Sequence, residues 1–192
     1  TVKKLFLTLI LIFSFQSWIK ADDIRDFQIE GMSVGDSLLD YYSEKQIKKF
    51  KNYDDLPSDM KFRIADDSSL NSDQYDGLQF FYKPQDKKFI IHSIGGHIYC
   101  KEDEKKCKKV LEDIKFEMSK LLGNKKFKKT TFKHNDDKSG KSIVTMYYVN
   151  MGNGDIDITY TNWSKNVKWT DNISVSISNR EAINWMKSNY GA

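Results

Sequence analysis

The chain has 192 residues, 39% of them hydrophobic and 14% aromatic, which excludes a disordered polymer and suits one core. Its formal charge of +4 comes from 31 basic and 27 acidic residues. Lys3, Lys4 and Lys20 fall in a leader-like segment that holds no acid, which leaves 28 basic against 27 acidic residues and removes bulk basicity as an argument for a nucleic-acid partner.

Residues 1–21 read as a secretory signal peptide: Lys3 and Lys4, an apolar run from Leu5 to Phe15, then the small residue Ala21 ahead of Asp22 and Asp23. The run of roughly 11 apolar residues falls short of the ~20 that span a bilayer; an uncleaved anchor is the alternative. The expected product is a periplasmic or secreted chain, residues 22–192, forming a single α+β domain with no transmembrane segment.

Residues 33–51 read as two short helices, the first capped by Ser33 with Asp36 three residues on, the second restarting at Ser43. Asn52–Asp59 is a polar break, Lys61–Ile64 a short strand, and Asp66–Asp76 a loop. Leu78–Tyr82 and Phe89–Cys100 are rich in Phe, Tyr and Ile and form a hairpin across Pro84–Lys87. Asp103–Leu122 is the best helix, with acidic residues at its start and Gly123 as its stop.

Four strands follow: Phe127–Lys133, Ile143–Val149, and two segments in which Ile156, Ile158 and Tyr160, then Ile173, Val175 and Ile177, alternate with polar residues. Such alternation belongs to an antiparallel sheet with one face buried and one wet. Ser178 and Glu181 make a capping box for a last helix. The pattern predicts an antiparallel sheet with helices packed on one face.

Two cysteines remain, Cys100 at a strand end and Cys107 inside a helix, on the face shared by Val110, Ile114 and Leu121. In an oxidising compartment they predict a disulfide. The rival is a metal site using His92 and His97. Regular alternation places these two histidines on opposite faces unless Gly95-Gly96 inserts a bulge, and the helix offers no second ligand. No metal is expected, and His92 reads as a hydrogen-bonded core histidine.

No motif specifies a reaction or a cofactor. Gly31-Met32-Ser33-Val34-Gly35 fits the letters of a nucleophile elbow, but only about ten residues of the 22–192 chain precede Ser33 and no acid–histidine pair completes a triad. Asn135–Ser142 resembles the end of a phosphate-binding loop, yet Asp136 and Asp137 stand where phosphate would lie and a strand follows instead of a helix. Asp155 and Asp157 lack the ladder of a calcium loop.

Lys101–Lys141 carries 14 lysines against 8 acids, and Lys125, Lys126, Lys128 and Lys129 form its densest stretch. These four are the candidate anion-binding residues, for an anionic lipid, glycan or protein.

The segment Phe27–Ser43 (FQIEGMSVGDSLLDYYS), Ile91–Gly96 (IHSIGG) with its following Cys-containing helix, and Asp137–Ser142 (DKSGKS) resemble an uncharacterised exported protein family of marine alphaproteobacteria. That resemblance implies a Gram-negative envelope setting and transfers no activity. More loosely, Gly31-Met32-Ser33 is similar to the start of small envelope adaptor and inhibitor domains of the outer-membrane assembly lipoprotein type. This chain lacks their lipidated cysteine and is longer.

The leading expectation is therefore a non-catalytic exported interaction domain whose partner is an envelope protein or an anionic surface. The alternatives are a polyanion-binding module using Lys125–Lys133 and an unrecognised hydrolase. A deep pocket with two convergent titratable groups would favour the hydrolase.

Overall fold

A computed structural model of the chain describes residues 23–52, 61–70, 72–100, 104–123 and 125–190. Residues 1–21, which the sequence reads as a leader, lie outside them, as does most of the polar break at 52–59. No described helix is long and apolar enough to cross a membrane.

Among the described residues, α1 (Glu44–Ile47) precedes β1 (Lys51–Asn52), β2 (Arg63–Asp67), β3 (Gly77–Tyr82) and β4 (Ser93–Tyr99). Then α2 (Glu104–Leu121) precedes β5 (Lys128–Lys133), β6 (Ile143–Asn150), β7 (Gly154–Asn162) and β8 (Asn172–Asn179), and α3 (Arg180–Tyr190) closes the chain. The strands form one antiparallel sheet in the order β1-β2-β3-β4-β8-β7-β6-β5. A helix followed by a four-strand meander thus occurs twice, and the halves join where β4 pairs with β8.

One face of the sheet is apolar. Ala65, Leu78, Phe80, Ile94, Ile156, Ile158, Tyr160, Ile173, Val175 and Ile177 are buried there in a cluster that spans both halves. From α2, Cys107, Leu111, Ile114 and Met118 enter the same cluster at helical spacing, followed by Leu122 just past its end. A fully buried side chain of this size contributes about 1.5–3 kcal/mol, so the helix is held by packing more than by propensity. Gly123, at φ +62°, ends α2 as expected.

The helices do not all share that face. Ala182 and Trp185 of α3 pack with Phe62 and Phe81, and Ile64 and Met186 join them. Phe81 and Ile64 have the parity opposite to Phe80 and Ala65, so α3 covers one end of the other face.

Several local expectations need correction. Ser33 caps no helix: its hydroxyl is buried and donates to the Phe27 carbonyl at 3.1 Å. Glu30 and Gly31, at φ +52° and +76°, form a tight two-residue turn that brings Ile29 back against Met32. Ser37 caps the short 3₁₀ turn Leu38–Asp40, while Ser43 and Gln46 make the capping box of α1. At α3 the cap is Asn179, whose Oδ1 accepts from the Ala182 amide at 2.9 Å; Ser178 pairs with Ser93 at 2.7 Å. Asp66 and Asp67 belong to β2 rather than to a loop. The strand before Cys100 begins only at Ser93: Phe89 adopts φ +48°, and residues 89–91 hydrogen-bond with residues 35–38 instead.

Cys100 and Cys107 form a disulfide with Cα atoms 5.2 Å apart, stapling the end of β4 to the first turns of α2. Closing so short a loop contributes about 2 kcal/mol. Replacing both cysteines with serine is expected to lower the free energy of urea unfolding by about that amount with little change in slope; an unchanged midpoint would count against this role.

Candidate functional site

The face opposite the main core is polar, and away from α3 it carries a cleft of about 700 Å³. Register dictates its floor. Asp66, Gln79, Gly95, Ser176 and Asp157 follow one another across β2, β3, β4, β8 and β7, and of this row Asp66 and Gln79 line the cleft. A second row runs Gly77, His97, Ser174, Thr159, and a third Tyr99, Asn172, Thr161. In-register neighbours sit about 4.8 Å apart, so short side chains on successive strands present a continuous band of donors and acceptors.

Gly95 lets the serine hydroxyls of β8 lie close over β4 beside the cleft. A Cβ there would stand 3.2 Å from the Ser176 hydroxyl and 3.5 Å from that of Ser174. The two hydroxyls are 3.3 Å apart, and Gln79 Nε2 donates to Asp66 Oδ1 at 2.9 Å. His97 sits among these groups. Burial pushes its imidazole below the ordinary value of 6.5, against the pull of Asp66, so the ring is neutral near pH 7.

One end of the cleft is an aromatic wall. Trp163 sits between His134, tilted against it, and Trp169, edge-to-face, with ring centroids 4.2 and 4.4 Å away. Trp169 is 51% exposed, and Tyr99 adds a further exposed ring. Burial also lowers the His134 pKa, against the carboxylates of Asp136 and Asp137.

Two buried or partly buried carboxylates fix this wall from behind. Asp171 accepts the Trp163 amide at 2.7 Å. Asp137 accepts from Ser139, from the Ser142 amide at 2.8 Å, from the Ser142 hydroxyl at 2.6 Å and from the Ser164 hydroxyl at 2.9 Å. These hydrogen bonds hold the Asp137 carboxyl well below the usual range. The stretch Asn135–Ser142 is thus a hairpin turn wound around Asp137, and the Asp137–Ser164 bond ties it to the loop bearing both tryptophans.

Of the residues singled out in sequence, His97 and Asp136 line the cleft and the others lie elsewhere. His92 is a hydrogen-bonded core histidine: its Nδ1 is 2.9 Å from Asn179 Nδ2 and its ring meets Phe62 edge-on. It therefore packs with the α3 cluster, not with Ile94. His97 faces the cleft because β4 runs without a bulge. Among the described residues no three His, Cys, Asp or Glu gather as a metal site. The Ser33 hydroxyl is turned inward, away from any nucleophilic role.

Of the lysines, Lys126, Lys128 and Lys129 are exposed, while Lys125 is half-buried and reaches the Met151 sulfur at 3.7 Å. Alternation in β5 puts Lys128 with Tyr148 on the cleft side and Lys129 with Tyr147 on the α2 side. The structure does not bring the four together on one surface.

The cleft residues escaped sequence reading because their polarity matched that of any wet strand face. The available signal was Trp163 and Trp169 flanking a five-residue, mostly polar stretch at a strand end. Comparison with protein-family models, curated proteins and solved structures finds no match.

Proposed function

We propose that this chain is an exported binding domain, and that the cleft on the polar sheet face is where its ligand sits. The observation that carries the reading is the pairing of a polar band across five strands with a braced aromatic wall. Its volume falls within the 300–1,000 Å³ of ordinary ligand sites. Export is supported by the leader-like residues 1–21 and by the bridged cysteines.

Hydrolysis fits the same cleft less well. Asp66 lines the cleft hydrogen-bonded to Gln79, while Asp157, the other carboxylate of that row, is four strand spacings of ~4.8 Å or about 19 Å away and outside the lining, so the row supplies no close carboxylate pair. A carboxylate pair acting on one glycosidic bond works at roughly 5–9.5 Å. The polyanion reading fares worse, since Lys128 and Lys129 point to opposite faces and the cleft itself offers one lysine, Lys168.

The test is a fragment library screened against the isotopically labelled protein by NMR. Shifts are expected at Trp163 and Trp169 and at amides of β3, β4, β7 and β8, with Leu111 and Tyr147 silent. Hits confined to the α2 side or to the Lys126–Lys133 edge would overturn the assignment.

A further inference from the structure

Resting on that reading, we propose that the cleft binds a neutral oligosaccharide, one pyranose ring lying on Trp169 and its neighbours hydrogen-bonded by Gln79, Asn172 and Thr161.

Three observations converge on this class. The first is the wall. An indole left half exposed in water presents an apolar plate, and Trp163 and His134 fix its orientation. A pyranose offers the matching surface, a flat array of C–H groups ringed by hydroxyls.

The second is the floor. A sugar hydroxyl donates once and accepts twice, so it needs neighbours of both kinds. Gln79 and Asn172 carry amides, Thr159, Thr161 and Ser174 carry hydroxyls, and Asp66 accepts. A purely anionic ligand would leave these acceptors facing its charge.

The third is charge and length. The lining holds one lysine, Lys168, against the carboxylates of Asp66 and Asp136, and burial lowers the pKa of both lining histidines, so no excess of positive charge awaits an anion. The floor spans five strands, about 19 Å, which suits several linked rings better than one.

The experiment uses the full protein with its disulfide intact. Cellotetraose, maltotetraose, mannotetraose and tetra-N-acetylchitotetraose are each titrated to about 10 mM while the tryptophan indole signals are followed, with inositol hexakisphosphate and choline as charged comparisons. At least one neutral tetrasaccharide is expected to shift Trp163 and Trp169 saturably. Trp169→Ala and, separately, Asn172→Ala are expected to weaken that binding about tenfold or more while leaving the urea midpoint unchanged. Gln79→Ala supplies a third variant should one of these fail to fold.

Silence at both tryptophans with all four sugars overturns the proposal, as does saturation only by a charged probe. Library fragments shifting the cleft signals while the sugars do not would remove the ligand class and leave the binding cleft standing. Shifts elsewhere would remove both.

Discussion

Gly154→Ala is expected to destabilise the protein by about 3 kcal/mol, lowering its thermal midpoint by about 10 °C. Gly154 opens β7 opposite Asn179, at the point where three parts of the chain meet. A Cβ there would lie far inside contact distance of the Ser178 carbonyl and of Ile24 Cδ1. The carbonyl belongs to a paired strand, and Ile24 is 1% exposed, so neither can swing aside. The surrounding bonds tighten the constraint: Arg180 N donates to the Asn153 carbonyl at 3.0 Å, Ile24 N to Asn153 Oδ1 at 3.2 Å, and Met151 N to the Gly154 carbonyl at 2.9 Å. Relief requires moving the β7–β8 pair apart or expelling Ile24 from the core. Gly152→Ala is the control, since nothing lies within 4 Å of its Cβ and only its φ of +81° is strained. That variant is expected to lose about 1 kcal/mol. A Gly154→Ala protein within 1 kcal/mol of the parent would show that the junction yields.

The contrast between core and cleft shows which features a sequence exposes. Ile156, Ile158 and Tyr160 announce their strand because burial on one face writes a period of two into the chain, and the α2 face is legible for the same reason at a longer period. The cysteine pair was legible because seven residues of separation cannot carry the partners far apart. The caps at Ser33 and Ser178 misled because a serine hydroxyl serves several local bonds equally well. Ser33 spends its own on the Phe27 carbonyl and Ser178 on Ser93, while Ser37 and Asn179 do the capping. The cleft was illegible for a different reason. His97, Ser174 and Thr159 come from three strands whose adjacency depends on β4 pairing with β8. No local pattern encodes that pairing. The duplicated helix-and-meander plan is hidden similarly, because the two halves share topology without shared motifs.

Asp157→Asn is expected to make the protein more stable at pH 8, by about 2 kcal/mol, and to leave it unchanged near pH 4. Asp157 lies on β7 at the far end of the first cleft row, half-buried against Ser176 and Tyr148. Burial raises its pKa from 3.8 to about 7, and the Asp155 carboxylate adds to the rise; the Thr159 hydroxyl, donating at 3.1 Å, opposes it. Between pH 4 and pH 7 the folded protein therefore holds a proton that the unfolded chain has released. The native state binds more protons there, so stability falls as pH rises through that window and is level on either side. A rise of about three pH units corresponds to about 4 kcal/mol at most. The side chain is only partly buried, and solvent screening reduces this to about half. Asparagine carries no charge to desolvate and keeps an oxygen for Thr159, so the penalty disappears without a hydrogen bond being lost. Asp23, Asp137 and Glu181, whose pKa values are lowered, and His92, His97 and His134 also make stability depend on pH. Those contributions are common to both proteins and cancel in their difference. Urea unfolding of the pair at half-unit steps from pH 4 to pH 8 reads that difference directly. Parallel curves would mean that Asp157 ionises in the native state as an ordinary surface carboxylate, and that the cleft floor beside β6 is wetter than its packing indicates.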